Sequence, residues 1–273
     1  MSQPYSKKIA GYAVCCISAL AVVTVSQMSQ ADAASMTFSV TGTNSASKNA
    51  LASSVVFDDL LNPGKLTVTL TNMKNVSVPS DVLTSVFWDY AGSPLNLSLI
   101  SATAATVTQN NPSTTTNNVN LLNTPTNGKE WAFASTTNSA GLTNGVTQDY
   151  GLGTAGLGIF QGLGGQQQFN YGIIDGYNAN ANPAIKGGSF VDNSATFVLS
   201  GLPTNFDISK IGSVRFQYGT ALSEPSIIKA QGSYYSPPPP PPKKVPEPGT
   251  TAALSLFAVG ALKVVRKKSL VVA

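Results

Sequence analysis

The chain has 273 residues, a formal net charge of +4, no histidine and two cysteines. The lack of histidine removes any Ser-His-Asp or Cys-His nucleophile, and the adjacent Cys15 and Cys16 leave the rest of the chain without disulfides or Cys/His zinc sites. A domain of this size must then rest on its hydrophobic core, and a chain this long buries well over half of its unfolded surface.

Residues 1–33 read as a signal peptide. Lys7 and Lys8 form the charged region, and Ile9 to Val25 is an apolar stretch with small residues interspersed. Ala31-Asp32-Ala33 supplies an A-x-A cleavage site, which places the mature start at Ala34. Cys15 and Cys16 lie inside the apolar core of this segment and read as small apolar residues rather than a lipid attachment point. From Ala34 to Val245 the chain carries ten Lys or Arg and ten Asp or Glu. The basic excess therefore belongs to the two ends. Nucleic acid is not an expected partner, because binding it takes a basic patch on the folded domain.

The body, residues 34–235, is rich in Thr, Ser, Asn, Gly and β-branched residues. Alternation predicts strands over Thr37–Thr41, Lys65–Thr71, Ser85–Tyr90, Leu95–Leu99, Ala195–Leu199 and Val214–Tyr218. In the clearest, Leu66, Val68 and Leu70 face one side and Thr67, Thr69 and Thr71 the other. Val86 and Trp88 share a face, with Phe87 opposite. Shorter candidates are Val55–Phe57, Glu130–Phe133 and Phe169–Ile174. Asn62-Pro63-Gly64 is a tight-turn signal, and Gly92-Ser93-Pro94, Asn127-Gly128, Gly187-Gly188 and Gly201-Leu202-Pro203 mark further breaks. Thr108 to Asn127, mostly Asn, Thr and Ser, reads as a long surface loop. Gly151 to Gly165 reads either as a glycine-bearing strand or as a loop where backbones approach closely. Many short strands with regular turns predict an all-β protein, an antiparallel β-sandwich of jelly-roll type, flanked by an N-terminal signal helix and a C-terminal hydrophobic helix.

Residues 236–244, a proline run from Pro237 to Pro242 closed by Lys243 and Lys244, predict a polyproline II spacer. Residues 245–273 begin with Val245, Pro246, Glu247 and Pro248. The prolines keep that motif extended. An apolar run from Thr250 to Val265 follows, broken only by Lys263, and Arg266, Lys267 and Lys268 form a basic stop. The run is slightly short of the ~20 residues of an upright membrane span. Its basic end is the one that stays in the cytoplasm, so the body is expected outside. An ordinary C-terminal membrane anchor has the same pattern.

The order of motif, apolar helix and basic stop resembles the C-terminal sorting signal of PEP-CTERM proteins, substrates of the exosortase transpeptidases of Gram-negative bacteria. Within the body, Phe57-Asp58-Asp59, the stretch Asp81 to Asp89 (DVLTSVFWD) and the stretch Phe216 to Pro225 (FQYGTALSEP) look like blocks of a family of exosortase-dependent surface proteins. The resemblance implies an exosortase as partner, transient insertion in the inner membrane through the C-terminal helix, and a final place at the cell surface or outside the cell. It implies no catalytic activity.

The residues themselves point the same way. Glycoside hydrolysis needs two acids across a bond, ~5–9.5 Å apart. Asp58 and Asp59 are adjacent, and neighbours on a strand point to opposite faces. No cofactor is expected. Calcium is the one metal the acids suit, with Asp58, Asp59 and Asp89 at strand ends, and no ligand set is assigned. Gly151, Gly153 and Gly156 match G-x-G-x-x-G by letter but lack a βαβ frame. The expected function is a non-enzymatic surface or extracellular-matrix protein. The alternative is a carbohydrate-binding surface module contacting an exopolysaccharide. Trp88, Trp131, Tyr90 and Tyr150 would be its sugar platform if exposed, and are core residues if buried.

Overall fold

The computed structural model describes residues 34–238, save 111–112, 125–127, 137–141, 143–144, 155–156 and 161–168. The signal segment, the sorting motif and both terminal helices therefore lie outside the described residues, as does all of the spacer beyond Pro238.

Among the described residues fourteen strands form the body. In chain order they are β1 (Ser35–Thr43), β2 (Ala50–Asp58), β3 (Lys65–Asn72), β4 (Leu83–Tyr90), β5 (Ser98–Asn110), β6 (Ser113–Asn120) and β7 (Ala132–Ser135). Then come β8 (Tyr150–Gly153), β9 (Ile173–Ile174), β10 (Ser189–Asp192), β11 (Ser194–Ser200), β12 (Ile211–Tyr218), β13 (Ser226–Lys229) and β14 (Ser233–Tyr235). The one α-helix among the described residues, α1 (Pro183–Gly187), is a single short turn started by Asn182, whose side chain accepts from the Ala184 amide at 2.7 Å. No helix of the described residues is long and apolar enough to cross a membrane.

The strands hydrogen-bond into one network that folds over as a sandwich. The first layer runs β6-β5-β11-β3-β2-β1-β14, with β10 continuing β11 along the edge of β5. The second runs β7-β8-β4-β12-β13. Pairing is antiparallel except where β9 lies parallel to β10, and β9 also touches β4 through Leu83 and Ile173, joining the layers. The last strand returns to the first: Ser35 pairs with Tyr235 and Thr37 with Ser233.

The alternation seen in sequence builds the core directly. Leu66, Val68 and Leu70 of β3 are fully buried, facing Val86 and Trp88 of β4 in the same apolar cluster. Phe87, on the other face of β4, packs in a separate cluster with Ala132, Ala134 and Phe160. The second layer is thus covered on both faces. Phe57 of β2 meets Trp88 across the sandwich at 5.3 Å between ring centroids. Burying a side chain of this class contributes about 1.5–3 kcal/mol.

The turn at Asn62-Pro63-Gly64 closes as expected, with the Lys65 amide donating to the Asn62 carbonyl at 2.9 Å. Gly64 has φ +75°, which only glycine adopts freely.

Several sequence expectations need correction. Thr108 to Asn127 is not one long loop. Its first part completes β5 and its middle forms β6, paired from Thr103–Asn120 to Asn110–Ser113. Threonine is β-branched and fits a strand. Because β6 is an edge strand exposed at all but Val119, it has no apolar face to reveal it in the sequence. The strand expected at Leu95 starts at Ser98, although Leu95 and Leu97 are buried. The expected strand Phe169–Ile174 shrinks to β9, and Glu130–Phe133 shifts to β7. Gly151 and Gly153 lie in a strand after all, and it is also a place of close approach. A Cβ on Gly151 would meet the Phe87 ring, and one on Gly153 the Phe160 ring.

Candidate functional site

The residues named for sorting and processing, Val245, Pro246, Glu247, Pro248, Arg266, Lys267, Lys268, Ala31 and Ala33, all lie outside the described residues. What the structure places is the chemistry of the body.

The aromatics come first. Trp88 and Trp131 are fully buried, and Tyr90 and Tyr150 nearly so. Trp88 packs against Tyr150 at 5.8 Å and Phe133 at 6.2 Å, and Trp131 against Phe197 at 4.7 Å. Trp131 Nε1 donates to the Tyr171 carbonyl at 2.9 Å, and the Tyr150 hydroxyl accepts from the Leu95 amide at 2.6 Å. Of the two readings of these residues, the structure has the core one. They form no exposed platform.

The three acids considered for a metal all accept backbone hydrogen bonds, Asp58 within its own turn and Asp59 and Asp89 from distant parts of the chain. Asp58 Oδ1 accepts from the amides of Leu60 and Leu61, both at 2.8 Å. Asp59 Oδ1 accepts from the Ala34 amide at 2.6 Å, and Asp89 Oδ1 from the Asp149 amide at 3.1 Å. Burial raises the Asp59 carboxyl above its ordinary range against the pull of that Ala34 hydrogen bond, and the neighbouring Asp58 charge adds to the rise. Burial also raises Asp89, opposed by hydrogen bonds from Ser213 and Asp149. Among the described residues, no group of three or more His, Cys, Asp or Glu is arranged to hold a metal ion. Gly151 and Gly153 of the G-x-G-x-x-G letters belong to β8, and Gly156 lies outside the described residues.

Asp81 is the most heavily bonded of the acids. It ends the short 3-10 turn Pro79–Asp81 and is 2% exposed. Its Oδ1 accepts from Asn44 Nδ2 at 2.7 Å and Ser47 Oγ at 3.1 Å. Its Oδ2 accepts from Asn49 Nδ2 at 2.6 Å and from the amides of Ser77 and Val78 at 3.1 and 3.2 Å. One carboxylate thereby ties the β1–β2 turn to the β3–β4 connection.

The stretch Phe216 to Pro225 also has a structural account. Gln217 Nε2 donates to the carbonyls of Ala221 at 3.0 Å and Glu224 at 3.2 Å. The Glu224 carboxylate in turn accepts from the amides of Thr220 and Ala221. Arg215, largely buried, donates to the Gly145 carbonyl at 2.9 Å and to Gln217 Oε1 at 2.8 Å. Burial lowers the pKa of this guanidinium from its ordinary value. These residues fold a loop back on its own strand.

Beside the Asp81 turn lies an open groove of about 390 Å³ lined by Asn49, Met73, Lys74, Asn75, Asp175 and Asn178. It is assembled by a parallel bridge between Val76 and Tyr177. The Val76 amide donates to the Gly176 carbonyl, and the Asn178 amide to the Val76 carbonyl, both at 3.0 Å. Lys74, Asn75 and Asp175 are exposed there beside the half-exposed Met73 thioether, whereas the amide nitrogens of Asn49 and Asn178 already donate to Asp81 and Ser77. Carboxamides both donate and accept, and with one ammonium and one carboxylate the groove has no net formal charge. Sequence reading missed this set. Its members come from three separated loops without periodicity, joined by the Val76–Tyr177 bridge on one side and by the Asn49–Asp81 hydrogen bond on the other.

No family model matches the chain, and no curated protein does. A search of solved structures finds the KRT10-binding region domain of the pneumococcal serine-rich repeat protein PsrP, at 11% identity and a TM-score of 0.26, covering 73% of this chain and 98% of that one.

Proposed function

We propose that this chain is a non-enzymatic exported surface or extracellular-matrix protein, sorted by an exosortase at its C-terminal Pro-Glu-Pro motif. The observation that carries the reading is the pair of targeting ends around one β-sandwich body: a cleavable N-terminal segment, and a C-terminal motif, apolar run and basic stop. The use of the acids as acceptors for backbone amides and of the large aromatics as core supports a structural role for the body. Intact-mass analysis of the mature protein from its own host tests the sorting step. Loss of the residues after the motif is expected, and retention of all of Thr250 to Ala273 would sink it. Glu247→Gln is expected to leave membrane insertion unchanged, since the apolar run and basic stop remain. It is expected to slow processing several-fold, because Glu247 is the one charge that an enzyme can grip by a charge-assisted hydrogen bond in the motif. The ratio of membrane-bound precursor to released protein reads this. Equal ratios would favour the plain anchor.

The groove at Asn49, Lys74, Asn75 and Asp175 favours the second reading, a carbohydrate-binding surface module. Its ligand would be an exopolysaccharide, held by amide hydrogen bonds rather than by aromatic stacking. Lys74→Ala with Asn75→Ala is expected to abolish retardation in polysaccharide-containing gels while leaving the unfolding free energy within ~0.5 kcal/mol of the parent, as for exposed sites. Unchanged retardation, or none in the parent, would remove the groove from the account.

A further inference from the structure

We propose that the α-ammonium created by cleavage after Ala33 is seated on the Asp59 carboxylate, so that export completes the fold with an ion pair that the precursor lacks. This rests on the export reading above. Cleavage adds water across the Ala33–Ala34 amide. The hydroxyl goes to the Ala33 carbonyl carbon and the remaining hydrogen to the Ala34 nitrogen, which leaves as an amine and takes up one further proton at neutral pH.

The seat is already built around Ala34. Its methyl group is fully buried in the main core cluster. Its nitrogen donates to Asp59 Oδ1 at 2.6 Å, and its carbonyl accepts from the Asp59 amide at 3.2 Å. These contacts extend the β1–β2 ladder one residue beyond the Ser35–Asp58 pair. The nitrogen is therefore held by strand register, not by a free tail.

The carboxylate lacks a cation. Among the described residues no lysine or arginine reaches ion-pairing distance of Asp58 or Asp59, and the two acids repel each other. Burial holds the Asp59 carboxyl above its ordinary range. An amide answers it with one hydrogen and a partial charge. The amide's bond is already strengthened by its ionised acceptor, and an ammonium brings three hydrogens and a full charge to the same place, adding a direct Coulomb attraction. The ordinary alternative is that Asp59 is only a turn cap, indifferent to whether Ala34 carries an amide or an ammonium.

The test uses the full chain exported from a host with signal peptidase, with N-terminal sequencing of every product. Four forms are compared: the parent, an insertion of Gly-Ser between Ala33 and Ala34, Asp59→Asn, and the two changes combined. The insertion keeps the Ala34 amide and its hydrogen bond but moves the ammonium two residues away. In the parent, the pH dependence of α-amine acylation is expected to give a pKa about one unit above the ordinary ~7.7–8.0, with the ordinary value restored in the insertion form. The folding constant in urea is expected to fall about tenfold in each single change and no further in the combination. A parent chain that starts at Ala34 with an ordinary amine, or with stability equal to that of the insertion form, overturns the ion pair while leaving export intact. A product that starts elsewhere overturns the cleavage reading and this proposal with it.

Discussion

Asp81→Ala is expected to destabilise the body by about 3–5 kcal/mol, a large share of the 5–15 kcal/mol that a domain has in total. The reason lies in what the carboxylate leaves behind. Asn44 is fully buried, and one of its side-chain hydrogen bonds ends on Asp81. The amides of Ser77 and Val78 and the side chain of Asn49 end there too. Each buried donor stripped of its acceptor costs about 1–3 kcal/mol, reduced where water can enter. Asp81→Asn keeps the volume but turns an amide N–H₂ toward a donor, so it is expected to recover less than half of the loss. The urea midpoint measures both. A midpoint for Asp81→Ala within experimental error of the parent would show that the turn is held by other contacts.

The second large effect is expected at Trp88. Its indole sits between Phe57 of one layer and Tyr150 and Phe133 of the other, so Trp88→Ala opens a cavity where the layers meet. Truncations of this kind cost about 3–5 kcal/mol. The indole N–H has no hydrogen-bond partner among the described residues. Trp88→Phe therefore forfeits volume but no hydrogen bond, and is expected to cost about 1–2 kcal/mol. Denaturation followed through Trp131 fluorescence, with circular dichroism as the check, measures the two. Equal losses for phenylalanine and alanine would mean that the indole edge is bonded after all.

The parts of the fold that could be read beforehand show large apolar side chains at alternating positions, most often against a polar opposite face. β3 announces itself through Leu66, Val68 and Leu70 against its threonines, and β4 through Val86 and Trp88 against Phe87. The latter is apolar on both faces because each meets a different cluster. β6 has no such contrast, since an exposed edge strand asks nothing of its side chains except β-propensity. β9 is two residues long and exists only because β4 and β10 flank it. The start of α1 did carry a local signal, Asn182 before Pro183, but five residues give no helical period. The groove was the least legible feature. Asn49, Asn75 and Asn178 look like any loop asparagines until Val76 pairs with Tyr177 and Asp81 draws in Asn49. The aromatics, by contrast, were informative but undecided, because burial is a property of the finished sandwich.

The pairing of β14 with β1 has a geometric consequence for presentation. Ser35 and Tyr235 stand side by side, so the chain enters and leaves the body at one pole. The groove borders Ala50, which pairs with Thr43 at the opposite end of β1. Nine strand residues separate the two poles by about 30 Å. Any attachment made through residues beyond Tyr235 therefore leaves the groove at the far pole, one strand length from the point of attachment.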